Sequence, residues 1–274
     1  MLGRRLLGMV TRGILGERYI LAQHLWNHWC EGQSYFKHAV GLSSIRKMRR
    51  FKNVHEGQRC VIVGNGPSLK NMDLRFLSDE IAFGLNRIYL LDSPGERIFD
   101  YFVSVNQLVL EQFSQEIEEI NCPKFLSFRA HDHFPSQTNT MFFRPTGGWS
   151  FSDDITRGIT EGYTVTYVAI QIAYYMGFSE VILIGVDHFF ETKGPANLEI
   201  VMDEQDNNHF SPDYFPKGAR WQLPDLDNSE ISYRIAKAIF ETSGRRILDA
   251  TLGGHLDVFP KVDYREYFGI ERGG

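Results

Sequence analysis

Six short apolar runs, at residues 59–64, 81–85, 101–105, 124–128, 180–186 and 246–249, restrict the folds open to this chain. Each is long enough for a strand and too short for a helix. Such runs suit strands buried on both faces of a parallel sheet. Helical spacing fills three of the gaps. Residues 107–119 place Leu108, Leu110, Phe113 and Ile117 together, with Asn106 as N-cap. Residues 164–176 do the same with Val165, Val168, Ile172 and Tyr175, and Gly177 supplies a stop. Residues 227–243 carry Ile231, Ile235 and Ile239, with Asp227 as cap, Glu230 three residues on and Gly244 as stop. Strands alternating with helices predict an α/β fold, Rossmann-like and doubly wound around a mostly parallel sheet.

Two stretches break the rhythm. Residues 129–162 show little periodicity. Residues 188–226 are polar and aromatic and hold four prolines, and they read as a lid insertion. Residues 1–55 read as a basic helical N-terminal extension, in which Trp26, Trp29, Tyr35 and Phe36 give it something to bury. Residues 56–270 read as one nucleotide-binding transferase domain.

Charge separates the two parts. The first fifty residues hold nine Lys/Arg and two Glu, a balance of +7, which leaves −12 on the remainder for the net −5. An acidic body excludes a general nucleic-acid binder. A basic head suits peripheral contact with a membrane surface through residues 1–50. No apolar run reaches the roughly 18 residues of a membrane span. Cys30, Cys60 and Cys122 form no CxxC pair, which fits reduced thiols and a cytoplasmic location, at most peripheral on the inner face of the membrane. Homo-oligomerisation stays open at this point.

The candidate site residues cluster at the ends of the strand runs. Gly64-Asn65-Gly66-Pro67-Ser68 follows the first run. Its glycines allow a sharp turn and close approach to a ligand, Pro67 suits a first helical turn, and amides at a helix start attract phosphate. Asn86 and Arg87 end the second run, and Asn106 follows the third. In an open α/β sheet such positions face the ligand crevice. Asp187 ends the fifth run, where it can bind a substrate hydroxyl or a metal. Thr251, Gly253 and Gly254 follow the sixth. In the lid, His209 can take a proton near neutral pH.

The segments at residues 63–69, Asn86, 177–187 and 250–254 resemble the MptE-like domain family, named after an archaeal 6-hydroxymethylpterin pyrophosphokinase. The Gly-Asn-Gly-Pro-Ser-Leu opening and the Gly-Val-Asp strand end are also similar to the bacterial sialyltransferases of lipooligosaccharide synthesis. The resemblance covers roughly residues 58–255. It implies that Gly64, Asn65, Gly66, Ser68, Asn86 and Asn106 hold a CMP-linked donor and that His209 is the general base. Where those sialyltransferases carry Thr-Ser-Gly, this chain reads Thr164-Val165-Thr166, so Thr164 and Thr166 join the candidates. The expectation is a nucleotide-sugar-dependent glycosyltransferase of surface glycan synthesis, with a glycan acceptor and no required cofactor. The alternatives are a Mg²⁺-dependent pyrophosphokinase, with Asp187 as metal ligand, and a non-catalytic nucleotide-binding protein.

Overall fold

The computed structural model of the chain describes residues 32–91, 98–136, 138–192 and 194–270. In chain order the strands are β1 (Arg59–Val63), β2 (Ala82–Leu85), β3 (Tyr101–Ser104), β4 (Lys124–Ser127) and β5 (Thr140–Phe143). The short β6 (Pro145–Thr146) and β7 (Ile159–Thr160) come next, then β8 (Glu180–Ile184), β9 (Glu199–Val201), β10 (Arg220–Gln222) and β11 (Arg246–Asp249). The α-helices are α1 (Ala39–Met48), α2 (Gln107–Gln112), α3 (Ser114–Glu119), α4 (Val165–Tyr175), α5 (Leu226–Thr242) and α6 (Tyr264–Phe268).

Seven strands form one sheet in the order β11-β8-β1-β2-β3-β4-β5, and every pairing in it is parallel. All six runs read from the sequence are strands of this sheet. Successive residues of a strand point to opposite faces, and here both faces are apolar. Val61 and Val63 join Phe102, Leu126 and Ile182 in one core cluster. Cys60 and Ile62 join Phe83, Val103, Phe125 and Leu183 in the other. Helices α4 and α5 cover the second cluster. The first is covered by α2, α3, α6 and the aromatic part of the insertion. The protein is therefore a Rossmann-like α/β fold. In α4 nine of eleven residues are buried, as expected for a helix that is apolar nearly all round.

Three details differ from the expectation. Strand β5 lies inside the stretch read as aperiodic. Residues 107–119 form two short helices that break at Phe113, whose ψ of 26° leaves the helical region. The cap of α5 is Asp225, which accepts from the Asn228 amide, and not Asp227, which lies in the first turn. The cap at Asn106 stands as read, accepting from the Val109 amide, and Thr164 caps α4 by accepting from the Thr166 amide.

The described part of the N-terminal extension is built into the sheet. An edge strand leaves backbone groups unpaired, and these need cover. On β5, the Phe142 amide donates to Ser44 Oγ at 3.0 Å and Tyr35 OH donates to the Phe142 carbonyl at 2.9 Å. Lys47 Nζ donates to the Thr140 carbonyl at 3.2 Å. Trp26, Trp29 and Cys30 lie outside the described residues. Among those described, Cys60 and Cys122 are buried free thiols, and no helix is long and apolar enough to cross a membrane.

The ends of β1 and β8 approach each other closely. A Cβ added at Gly64 would lie 2.3 Å from the Gly185 carbonyl oxygen. Backbone cannot swing aside as a side-chain tip can, so Gly64→Ala is expected to cost about 1–3 kcal/mol by overpacking. Calorimetry should show this as a Tm loss of about 2–4 °C per kcal/mol. An unchanged Tm would show that the two strand ends have room between them.

Candidate functional site

The sheet places its own crevice. The chain runs from β1 outward through β5, then returns to β8 on the other side of β1. The order reverses between β1 and β8, and ligands of open α/β sheets bind beyond the carboxyl ends of strands at such a reversal. A cleft of about 710 Å³ opens there. It is lined by Gly64, Asn65 and Gly66 after β1, Asn86 after β2, Asn106 after β3 and Asp187 after β8. Thr164 and Thr166 line it from the start of α4, and His209 from the insertion. Nine candidates scattered over 146 residues of sequence thus meet in one place.

The glycine loop works differently from the phosphate cradle expected. The amides of both its glycines already donate within the protein: Gly64 to the Ile184 carbonyl at 2.8 Å and Gly66 to the Gly185 carbonyl at 2.9 Å. The Ser68 amide donates to Asp187 Oδ1 at 3.0 Å, and Ser68 Oγ donates to Asp187 Oδ2 at 2.7 Å. Pro67 opens a 3₁₀ turn and Ser68 is buried; neither lines the cleft. The start of that turn therefore holds the Asp187 carboxylate in place of a phosphate. Gly66 is the residue that lets it in, since a Cβ there would lie 1.8 Å from Asp187 Oδ2. Burial raises the Asp187 carboxyl above its ordinary value of 3.8, opposed by the two Ser68 hydrogen bonds.

Three of the carboxamides that line the cleft are candidates read from the sequence. Asn65 Oδ1 is buried and, among the described residues, is one of three such side-chain atoms with no hydrogen-bond partner. A buried polar atom left bare is costly, and a ligand donor would satisfy it. Asn86 sits at φ +48° and its Oδ1 accepts from Ser104 Oγ at 2.9 Å, which leaves its NH₂ for the cleft. Asn106 Oδ1 caps α2, which likewise leaves its NH₂.

The lid contributes a histidine with a fixed orientation. His209 Nδ1 lies 2.8 Å from Asp206 Oδ2, and Asp206 Oδ1 accepts from the Asn208 amide at 2.8 Å. A carboxylate only accepts, so Nδ1 carries a proton, and in the neutral ring the lone pair then lies on Nε2. The ring stacks on Tyr214 at 3.9 Å and 4°. Asp206, 2% exposed, was passed over in the sequence. Its signal was the Asp-x-x-His spacing, which an Asx turn folds back on itself.

Two expectations are corrected. Arg87 does not fork toward a ligand. It is 5% exposed and donates to the Tyr214 and Asp213 carbonyls and to Tyr89 OH, with its guanidinium 3.7 Å from the centre of the Phe113 ring. It ties the lid to the end of β2, because a buried guanidinium must find acceptors. Thr251, Gly253 and Gly254 do not line the cleft either. They brace it from behind: Thr251 Oγ1 accepts from the Val186 amide at 3.2 Å, and the His255 amide donates to the Asp187 carbonyl at 2.9 Å.

Of the charges on the walls, sequence reading singles out Asp187 and misses Glu111, Glu161, Glu199, Arg129 and Arg220. Glu111, Glu161, Asp187, Glu199 and Asp225 line the cleft against Arg129 and Arg220. Arg129 pairs with Glu161 at 2.8 Å, and Arg220 with Glu199 at 3.3 Å and Glu111 at 3.6 Å. Among the described residues no group of three or more His, Cys, Asp or Glu is arranged to hold a metal ion.

No family model matches the chain, and no curated protein matches it. A solved structure, the MAf glycosyltransferase from Magnetospirillum magneticum AMB-1, is similar at TM-score 0.49 and 15% identity, over 85% of this chain and 39% of that one. The chain thus spans well under half the length of that protein.

Asp187 has a testable signature. Its folded carboxyl titrates above 3.8, so the native state keeps a proton that the unfolded chain has lost. Stability therefore falls as pH rises from about 4 through the folded value. Asp187→Asn keeps both Ser68 contacts without the charge and escapes that fall. Its Tm is expected to gain on the parent between about pH 4 and pH 7. A gap that narrows as pH rises would show that the carboxylate is stabilising where it sits.

Proposed function

We propose that this chain is a nucleotide-sugar-dependent glycosyltransferase, sialyltransferase-like, with a CMP-linked sugar as donor and a glycan hydroxyl as acceptor in surface glycan synthesis. The observation that carries this reading is His209 on the wall of the cleft that the ends of β1 and β8 frame, its ring oriented by buried Asp206. His209 Nε2 takes the proton of the acceptor hydroxyl as that oxygen bonds to the anomeric carbon. The bond from the anomeric carbon to the nucleotide phosphate oxygen breaks, and the nucleotide leaves with the electron pair. Asp206 holds the ring in its working tautomer and offsets the imidazolium charge, the part a carboxylate plays behind a catalytic histidine. Asn65 Oδ1, Asn86 and Asn106 offer the acceptor and donors that a base and ribose require. The docked lid keeps water, the competing nucleophile, from the donor.

Charge supports a CMP-linked donor over ATP. Five carboxylates and two paired guanidiniums line the cleft. A single phosphodiester charge is repelled far less there than a triphosphate. Diphosphate transfer of the MptE type needs Mg²⁺ to bridge phosphates. Asp187, the expected ligand for it, is engaged by Ser68, and among the described residues no group of three or more His, Cys, Asp or Glu is arranged to hold a metal ion.

The test is thermal stabilisation by CMP, CDP, UDP, GDP, AMP and ATP, each with and without Mg²⁺. The expected result is stabilisation by CMP that needs no metal, about 2.7 kcal/mol at 100 times the dissociation constant. With a CMP-linked sugar as donor, His209→Ala should then lower transfer about 10²–10⁴-fold and leave CMP binding intact. Stabilisation by ATP only with Mg²⁺ would replace this reading with diphosphate transfer. Full transfer by the His209 variant would remove the base from the mechanism.

A further inference from the structure

We propose that Trp149 and Tyr163 form a stacking platform on the cleft rim for a sugar ring of the acceptor. This rests on the glycosyl-transfer reading and names the site that reading leaves unassigned. Tyr163 lines the cleft and is 44% exposed, and Trp149 beside it is 46% exposed. Their ring centroids lie 6.3 Å apart at 36°. Most large rings of this protein are buried, Tyr35, Tyr167, Tyr214, Tyr233 and Tyr264 among them. A tyrosine of the cleft wall and the tryptophan ring next to it, both left nearly half open to solvent, therefore call for a function.

The platform is held rigidly. Tyr163 has φ +63° and follows Gly162 at φ +56°. Bulky residues adopt this left-handed backbone rarely, and strain of this kind persists where the surroundings enforce it. The enforcement is visible. A Cβ at Gly162 would lie 2.1 Å from the Tyr167 ring, so the turn rests against α4. The next residue, Thr164, caps α4 and lines the cleft. On the Trp149 side, Tyr167 OH donates to the Ser150 carbonyl at 3.1 Å, and Ser150 Oγ meets Thr160 Oγ1 at 2.9 Å. Buried Gln171 ties both stretches down, accepting from the Ser152 amide at 2.9 Å and donating to the Thr160 carbonyl at 2.8 Å.

A pyranose suits this surface chemically. It presents a face of C–H groups to an aromatic ring and a rim of hydroxyls to polar neighbours. The ring faces carry the negative side of a quadrupole and a large apolar area. Glu161 and Arg129, paired at 2.8 Å on the same wall, present an acceptor and donors for hydroxyls. A ring stacked on Tyr163 lies at the entrance to the cleft that His209 lines.

The experiment titrates the full chain with lactose, cellobiose and maltose and follows tryptophan fluorescence, with Trp149→Phe to identify the reporting ring. At least one disaccharide is expected to change the emission saturably. Tyr163→Ala should weaken that binding about tenfold or more, a loss of roughly 1.4 kcal/mol, while Tyr163→Phe keeps it, because the ring and not the hydroxyl stacks. CMP stabilisation should be the same in all variants. The proposal falls if none of the three sugars binds the parent chain. It falls equally if Tyr163→Ala leaves sugar binding intact or weakens CMP binding instead, which would make the rings a base-stacking site. Tyr163-dependent sugar binding with no stabilisation by any nucleotide would keep the platform and overturn the transferase reading.

Discussion

Everything at the candidate site hangs on how closely the ends of β1 and β8 approach. Gly64 and Gly66 donate to the Ile184 and Gly185 carbonyls, so two adjacent parallel strands stay joined one step past their last paired residues. Side chains at 64 or 66 would collide with Gly185 or Asp187. Gly185 itself takes φ +65°, and a Cβ there would strike Leu69 at 2.7 Å. This contact fixes Asp187 against Ser68 and turns Asn65 into the cleft. It also sets where the lid docks, because the Phe210 amide donates to the Asn65 carbonyl at 3.0 Å. His209 and the Asn65 carboxamide thus share one anchor.

The lid follows from that anchor and from its own chemistry. Phe210, Tyr214, Phe215 and Trp221 are buried, which gives the insertion an apolar underside to press on the sheet. Burial of its polar groups would cancel much of that gain unless each found a partner. Asp206 receives Asn208 and His209; Asn208 Oδ1 in turn accepts from the Glu191 amide at 2.8 Å. Arg87 reaches across from β2 to the Asp213 and Tyr214 carbonyls. Hydrogen bonds to charged groups contribute about 1.5–3 kcal/mol each, so these ties decide one lid geometry where the aromatic packing alone would admit several. The orientation of His209 is a consequence of lid folding.

How much of this was legible follows from where each signal lives. The buried strands declare themselves because both faces are apolar, and a four- to seven-residue apolar run has few other uses. Strand β5 hid because its neighbours in sequence carry no helical period, and it opens on Thr140, a polar residue that the edge of the sheet buries with its hydroxyl on the Thr138 carbonyl. The glycine loop was legible as a close approach, but not what approaches. Gly64 and Gly66 serve strand β8 and Asp187, 119 residues away from Ser68, and local pattern carries no trace of that partner. Arg87 misled for a related reason: the same side chain serves a ligand or a distant carbonyl. Asp206 was legible in principle through its spacing to His209, but a loop acid three residues before a loop histidine has no meaning until burial removes water from both.

Backbone strain gives an independent reading of the same place. Six non-glycine residues among those described take positive φ: Asn53, Asn86, Asn139, Tyr163, His188 and Asn197. Four of them, Asn86, Tyr163, His188 and Asn197, line the cleft. Asparagine adopts this region at little cost, so Asn53 and Asn139 need no explanation beyond their turns. A bulky tyrosine does not, and histidine visits the region less readily than asparagine. His188 is held there by contacts that only the folded protein supplies, its Nε2 3.3 Å from Glu230 Oε1 and its ring against Tyr233. Strain of about 1–3 kcal/mol per residue survives where surrounding structure over-determines it. A seven-stranded buried sheet can hold such residues anywhere along its loops. That the tyrosine and the histidine both stand at the one crevice defined by strand order argues that the walls were shaped for what they face.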